Sequence, residues 1–483
     1  MGNPYQKFAK DIIVIGITNL LVGLSGLVLL PLLTKTLGAH DYGIWAQVNV
    51  TIGLVMPFAG LGLSYSMVRF LAAKTSREEI QEEFYSVFSA VFLSTLVISS
   101  LLVILAGFLA NTFFDGATQI VRITGLIILV WSLDSVCLNL FVAFRQMKRY
   151  SIFIIAEALG RVGLIAYLVA NGYGLFGAVL SVLIIRVVIL FILCCLTKSQ
   201  IGIKRPHFSK IREYLNFGLP TIPASITGWV VTSSDRYVIG YFLGAAAVGI
   251  YAAAYMLGDI PYMLSALLSF VLLPSVSKLY DEGRMDEVKT HLTYSLKYFL
   301  ALAIPFVFGA TLLGEQVLSM FSTSEIATQG HYIVPIVALG TLFLGVYAVI
   351  AHILIMVKKT KVIGATWAIS ASVNLLLNIL IVPHIGILGA AITTLIAYLL
   401  ALGMVTYYSF KEFRFSIEWG FIIKSLIASA IMSAVIWLIA PQSTLSAVLT
   451  IIAGAAVYGL TLLLLKGFKK EEIKFFRGLF QRG

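Results

Sequence analysis

Leu37-Gly38-Ala39-His40-Asp41-Tyr42-Gly43-Ile44-Trp45-Ala46 and, 206 residues later, Leu243-Gly244-Ala245-Ala246-Ala247-Val248-Gly249-Ile250-Tyr251-Ala252 share one pattern, Leu-Gly-Ala-x-x-x-Gly-Ile-aromatic-Ala. A second pair, Gly174-Leu-Phe-Gly177-Ala178 and Gly386-Ile-Leu-Gly389-Ala390, is offset by 212. Two matches at nearly one offset predict a duplicated unit. The glycines suit a structural role, in which Gly38 and Gly244 end helices while Gly43 and Gly249 let the next helix start close to a neighbour.

The stretches around these motifs are apolar. Of 483 residues, 60% belong to the AVILMFWYC set and only 12% are charged. A soluble domain is nearer half apolar and a quarter charged, so the solvent that suits this chain is a bilayer. A helix needs about 20 apolar residues to cross ~30 Å of hydrocarbon. Fourteen segments qualify: 11–33, 43–68, 84–110, 120–144, 151–170, 175–197, 214–242, 246–276, 293–313, 330–357, 362–383, 386–410, 420–440 and 444–465. The first is too long for a signal h-region and lacks a small-residue cleavage site, so it is read as a span. Barrel strands are excluded because the runs are too long and do not alternate. Cys137, Cys194 and Cys195 lie inside apolar stretches with no metal-ligand spacing, which excludes a disulfide scaffold and leaves no metal or other cofactor to expect.

The net charge of +12 is placed unevenly. Alternate loops hold 27 of the 34 basic residues, from Lys7 through Lys198–Arg212 to Lys466–Arg482, and the intervening loops hold none. The positive-inside rule puts both termini in the cytoplasm of a plasma-membrane protein and removes nucleic acid as a partner. Phe468, Ile473, Phe476, Leu479 and Phe480 fall on one face of the basic tail, as in a helix lying on an anionic leaflet.

Six is an even number of spans, so the two copies run in the same direction and are related by an axis along the membrane normal. The expected architecture is all-α: a six-helix bundle over 1–197, a basic cytoplasmic linker over 198–213, a second six-helix bundle over 214–410, two further spans over 411–465 and the tail 466–483. Two parallel bundles around an axial cavity suit rocking alternation of access.

Pro31-Leu-Leu-Thr-Lys-Thr-Leu-Gly38 with Asp41-Tyr-Gly-Ile-Trp45, and Asp235-Arg-Tyr-Val-Ile-Gly-Tyr-Phe-Leu-Gly244 with Val248-Gly-Ile-Tyr-Ala-Ala-Ala-Tyr255, resemble the polysaccharide-export branch of the MOP superfamily. The resemblance covers nearly the whole chain. It implies a MATE-like fold and a Wzx-type flippase, which would move an isoprenoid (pyro)phosphate-linked oligosaccharide from the cytoplasmic to the outer leaflet. It implies a monomer without catalytic residues, working with membrane lipids and other polysaccharide-assembly proteins. Sister branches fit less well. MATE exporters often carry a carboxylate midway along span 1, where this chain has Asn19, with Asp11 only at the edge. Lipid II flippases place arginines toward the cavity in spans 1 and 2, where this chain has only Lys35 and Arg69 near the ends. A small-molecule exporter stays open as an alternative, as does a membrane glycosyltransferase or ligase.

Ionisable side chains at mid-membrane are expensive and mark candidate sites. By depth these are Asp134, Glu157, Arg161 and Arg186 in spans 4 to 6, Asp235 and Arg236 in span 7, and Asp259 in span 8; Arg122 flanks an outer loop. Glu157 and Arg161 are spaced i, i+4 and can pair. Arg161 and Arg186 can hold an anionic head group, or close a structural network with Glu157 and Asp134. Asp134, Glu157 and Asp259 are candidates for cation coupling. No phosphate loop, HExxH or loop carboxylate pair points to an enzyme.

Overall fold

The computed structural model describes residues 4–72, 74, 76–469 and 472, with the backbone alone at 4–13, 267, 270, 271 and 273. The amphipathic tail expected over 466–483 lies largely outside the described residues. The chain runs through α1 (Pro4–Gly60), α2 (Leu63–Leu71), α3 (Arg77–Ile104), α4 (Ala106–Phe113), α5 (Thr118–Ala143), α6 (Met147–Leu168), α7 (Gly174–Ile201), α8 (Ile211–Gly218) and α9 (Thr221–Gly258). It continues through α10 (Ile260–Asp281), α11 (Met285–Phe321), α12 (Ser324–Gly330), α13 (Ile333–Met356), α14 (Thr360–Ile385), α15 (Ile387–Glu412), α16 (Trp419–Ile439) and α17 (Thr444–Leu464).

Among the described residues, eleven helical stretches are long and apolar enough to cross a membrane, and the protein is an all-helical membrane protein. Four of them run 47, 55, 38 and 37 residues, far beyond the roughly 20 that one crossing needs. The first three are broken at glycine, while α11 runs on through Pro305. Gly38 (φ 75°, ψ −177°) interrupts α1 and Gly244 (φ 82°, ψ 175°) interrupts α9, so the two motif copies hold the same backbone conformation. That region of φ/ψ space is open to glycine and closed to residues with a Cβ. Gly172 (φ 85°) makes the corner between α6 and α7. The loop expected around Gly38 is thus a single non-helical residue.

Four runs read as continuous are broken: 84–110 at Leu105, 214–242 at Leu219 and Pro220, and the two that follow. The stretch 43–68 is interrupted at Leu61 (φ 51°) and Gly62 (φ 64°), after which the Ser66 hydroxyl donates to the Gly62 carbonyl at 3.1 Å and the Tyr214 carbonyl at 2.9 Å. The stretch 246–276 is interrupted at Asp259, with Pro261 in the first turn of α10, where a missing N–H costs nothing.

The chain divides into two compact units. The first comprises residues up to Ala252 together with Asn374–Ala390. In it α5 is central and packs on α1, α2, α3 and α7. Phe84, Val91, Val136, Phe141 and Leu193 form part of its core, while Leu93, Val97, Ile104 and Phe191 are exposed, as lipid-facing side chains are. The second unit comprises Ala253–Val373 and residues from Ala391 onward. There α10 and α11 pack on α13, and α16 packs on α11 and α17. Its buried Lys297 ammonium lies 2.8 Å from Glu418 and 2.9 Å from Glu472, so the charge is doubly paired.

Candidate functional site

Within the first unit a cavity of about 520 Å³ opens beside the break at Leu61 and Gly62. α1 contributes Met56, Pro57 and Gly60; α2 contributes Ser64 and Tyr65; α9 contributes Thr221, Ile222 and Ser225. Ser132, Ser135 and Asn139 of α5 complete it at spacing i, i+3, i+7, one face of a helix. The residues on both sides of the break, Gly60, Gly62 and Ser64, line the cavity. The break also brings α2 against α8 so closely that a Cβ on Gly62 would overlap the Gly218 carbonyl.

The lining is largely apolar and uncharged, and among the described residues its polar groups are hydroxyls, the Asn139 amide and the Tyr65 ring. Asn139 donates to the Ser135 carbonyl at 2.9 Å. Tyr65 is exposed at the rim and stacks on Phe217 with centroids 6.1 Å apart. One helical turn further, the exposed Arg69 guanidinium lies 4.3 Å from the Phe217 centroid. None of these residues stood out in the sequence as a site. Their only signal there was the polar stripe of α5 and an aromatic-arginine pair spaced i, i+4.

The expected charged residues occupy other places. Asp134, Glu157, Arg161 and Arg186 meet where α5, α6 and α7 pack. Arg186 lies 3.6 Å from Asp134 and 3.2 Å from Glu157, and Arg161 lies 3.8 Å from Glu157. The Arg186 guanidinium also sits 3.8 Å over the Trp131 ring, a cation–π contact. Two carboxylates and two guanidiniums cancel. The pairing is loose: these separations exceed the roughly 2.7–2.9 Å of a charge-assisted hydrogen bond. Both Asp134 carboxylate oxygens and the Nε atoms of Arg161 and Arg186 lack hydrogen-bond partners. At 3.6 residues per turn, Asp134 points roughly 130° away from the centre of the Ser132–Ser135–Asn139 stripe.

Asp235 and Arg236 form a second, separate group. Arg236 reaches Asp235 at 2.9 Å and donates to the Thr232 carbonyl at 2.7 Å, while the Tyr251 hydroxyl donates to Asp235 at 2.5 Å. Gln47 donates to the Arg236 carbonyl at 3.1 Å. Arg122 is exposed on the first turns of α5. Asp259 stands at the N-cap position of α10 in the second unit, without a side-chain capping bond to that helix. Among the described residues no group of three or more His, Cys, Asp or Glu side chains is placed to hold a metal ion.

The chain matches the family described as "Polysaccharide biosynthesis protein" over residues 8–280, and the MatE family over residues 220–380. It is 24% identical over 284 residues to the probable low-salt glycan biosynthesis flippase Agl15 of Haloferax volcanii, covering 58% of this chain and 60% of that one. It is 26% identical over 249 residues to the probable flippase AglR of the same organism, covering 50% and 52%. The chain thus spans between half and two thirds of the length of these relatives. The fold is that of lipid II flippase MurJ in an inward closed conformation (TM-score 0.77, 20% identity, 95% of this chain and 99% of that one). It is also that of an inward-facing multidrug resistance MATE family transporter of the MOP superfamily (TM-score 0.64, 14% identity, 83% and 97%). With more than half its length matched, the chain belongs to the polysaccharide biosynthesis protein family and shares the fold of the MOP superfamily.

Proposed function

We propose that this protein is a flippase that carries an isoprenoid (pyro)phosphate-linked oligosaccharide from the cytoplasmic to the outer leaflet by alternating access, without catalysing a covalent step. The observation that carries this reading is the chemistry of the cavity: hydroxyls, an amide and a tyrosine ring, with Arg69 one turn from the rim. Sugar hydroxyls exchange hydrogen bonds with such side chains at a net value of about 1 kcal/mol each, a grip weak enough to release. Tyrosine offers its face to the apolar side of a sugar ring. A guanidinium matches phosphate oxygens with paired donors. The cavity volume lies within the ~300–1,000 Å³ of small-ligand sites. The relatives named as flippases point the same way.

The topology of this reading is fourteen crossings in two six-span copies of one direction, followed by two further spans. Dividing the three long stretches that a glycine breaks, at Gly38, Gly172 and Gly244, and keeping the unbroken 37-residue α11 as one crossing raises eleven to fourteen, which supports the count. The matched conformations of Gly38 and Gly244 support the duplication. The lysine and arginine asymmetry supports cytoplasmic termini in a plasma membrane. Asp134, Glu157, Arg161 and Arg186 serve in this reading to hold α5, α6 and α7 together.

The experiment is reconstitution into liposomes loaded with a fluorescent lipid-linked oligosaccharide. Time-dependent exposure of the sugar to an impermeant lectin is the expected result. Extrusion of cationic dyes with the lipid-linked sugar left in place would replace this reading by a drug exporter. The cavity argues against that: a cationic drug needs a carboxylate, and among the described residues the lining has none.

A further inference from the structure

A second cavity, of about 680 Å³, lies in the second unit as a groove between the first half of α14 and the second half of α15. It runs from Lys361, Tyr407 and Tyr408 at one end to Ile369 and Leu399 at the other. Lys361 to Ile369 is eight residues, about 12 Å along a helix. That length matches roughly the first half of one lipid chain. Gly403 forms part of the wall, and nothing lies within 4 Å of where its Cβ would be.

The charge sits at one end only. Lys361 is exposed, and the Lys411 ammonium lies 4.2 Å from the Tyr407 ring centroid. Neither has a carboxylate partner among the described residues, whereas neighbouring Lys359 is paired to Glu412 at 2.7 Å. Two ammonium groups without carboxylate partners at the end of an apolar groove, beside two tyrosines of the kind that favour the membrane–water interface, ask for an anion with a hydrocarbon tail.

We propose that this groove binds an acidic membrane lipid, one chain lying between α14 and α15 and its phosphodiester head group resting on Lys361 and Lys411. Two lysines on flexible stems make a modest site. Near an anionic surface each favours a negative head group about five-fold, on the order of thirty-fold for the pair. A site of that strength is filled by the abundant acidic lipids of a leaflet and not by a scarce carrier lipid. The inference is independent of the proposed transport function.

The full-length protein in nanodiscs of phosphatidylcholine with a minor fraction of phosphatidylglycerol tests it, with retained lipids counted by native mass spectrometry. The expected result is a ratio of retained phosphatidylglycerol to phosphatidylcholine on the order of thirty-fold above their ratio in the nanodisc. Lys361→Gln with Lys411→Gln should remove that preference, Lys358→Gln should leave it, and Gly403→Leu should expel the lipid with both lysines intact. All variants should melt as the parent does, because none of these side chains is buried. Unchanged enrichment in the double lysine variant would overturn the proposal. So would enrichment that survives Gly403→Leu, or stronger retention of a polyprenyl phosphate than of phosphatidylglycerol at equal mole fraction.

Discussion

Gly43 and Gly249 face each other across a reciprocal contact. A Cβ on Gly43 would overlap the Ala245 carbonyl, and one on Gly249 would overlap the Ala39 carbonyl. Each glycine therefore meets the residue that follows the helix-breaking glycine of the other motif copy. The arrangement is what a two-fold axis between copies produces, since residue i then contacts j while its counterpart contacts i's neighbourhood in return.

Gly43→Ala and Gly249→Ala should each lower the yield of folded protein and the melting temperature. The neighbour is backbone, which cannot swing aside as a side chain can, so the cost should reach or exceed the ~1–3 kcal/mol of core overpacking. Gly163→Ala on α6 is the control: nothing lies within 4 Å of its Cβ position. Melting temperatures in one detergent decide it, and equal melting of all three variants would remove the close-approach argument.

Arg186→Ala strands the Asp134 carboxylate and leaves Glu157 with only the more distant Arg161. Breaking a buried pair from one side costs about 3–5 kcal/mol because the remaining charge is left uncompensated. Folded protein should fall sharply. Arg186→Met combined with Asp134→Asn should recover part of the loss, since both sides of the interaction are then removed. Arg161→Ala should cost less, for Arg161 touches only Glu157 and at a longer distance. Normal melting of Arg186→Ala would show that the network is not what holds α5 to α7.

Much of this was legible in the chain itself. Apolar length gives the helices, and the Leu-Gly-Ala motif gives the break at Gly38 and its twin at Gly244. The i, i+4 spacing of Glu157 and Arg161 gives their contact. The break at Leu61 was hidden, because an apolar residue takes a left-handed conformation there only under a tertiary constraint, the approach of Gly62 to Gly218. Position along the spans offered Arg186 either a network with Asp134 and Glu157 or an anionic head group, and could not choose between them because it gives no direction. The polar stripe of α5 did not stand out because hydroxyls in apolar helices usually bond their own backbone, as Thr34 does to Leu30 and Ser181 to Gly177.

The basic segment after α7 is strapped to the start of α3. The buried Glu83 takes Lys210 at 3.0 Å, the Tyr214 hydroxyl at 2.5 Å and Lys74 at 3.6 Å, and Lys204 reaches Glu82 at 2.8 Å. Glu83→Gln should release the strap, read as faster tryptic cleavage after Lys204, Lys210 and Arg212. The hydrogen bond to Glu82 raises the Lys204 pKa above its ordinary 10.5. A raised pKa means the contribution is fully present below that ordinary value and lost as pH rises through the higher folded one. Cleavage of the parent should therefore not follow lysine titration across the neutral and mildly alkaline range where trypsin works. High salt should speed cleavage, because exposed pairs are screened. Protection that ignores both Glu83→Gln and salt would mean that packing, not charge, holds the segment.

The cavity carries the sharpest test of transport. Asn139→Leu and Ser135→Leu fill it with hydrocarbon and remove groups that would exchange hydrogen bonds with sugar hydroxyls, while leaving the opposite face of α5 and its charges untouched. Transport should fall at least tenfold with melting unchanged, because an apolar side chain is at home in that lining. Tyr65→Phe should keep most activity and Tyr65→Ala should lose it, since stacking needs the ring and not the hydroxyl. Arg69→Gln should raise the substrate concentration needed for half-maximal transport about tenfold or more, the worth of hydrogen bonds to a charged group. Arg69→Lys should recover part of that loss, because an ammonium keeps the charge but not the paired donors. If Asn139→Leu folds, melts normally and transports at the parental rate, the cargo passes elsewhere and this cavity is not its path.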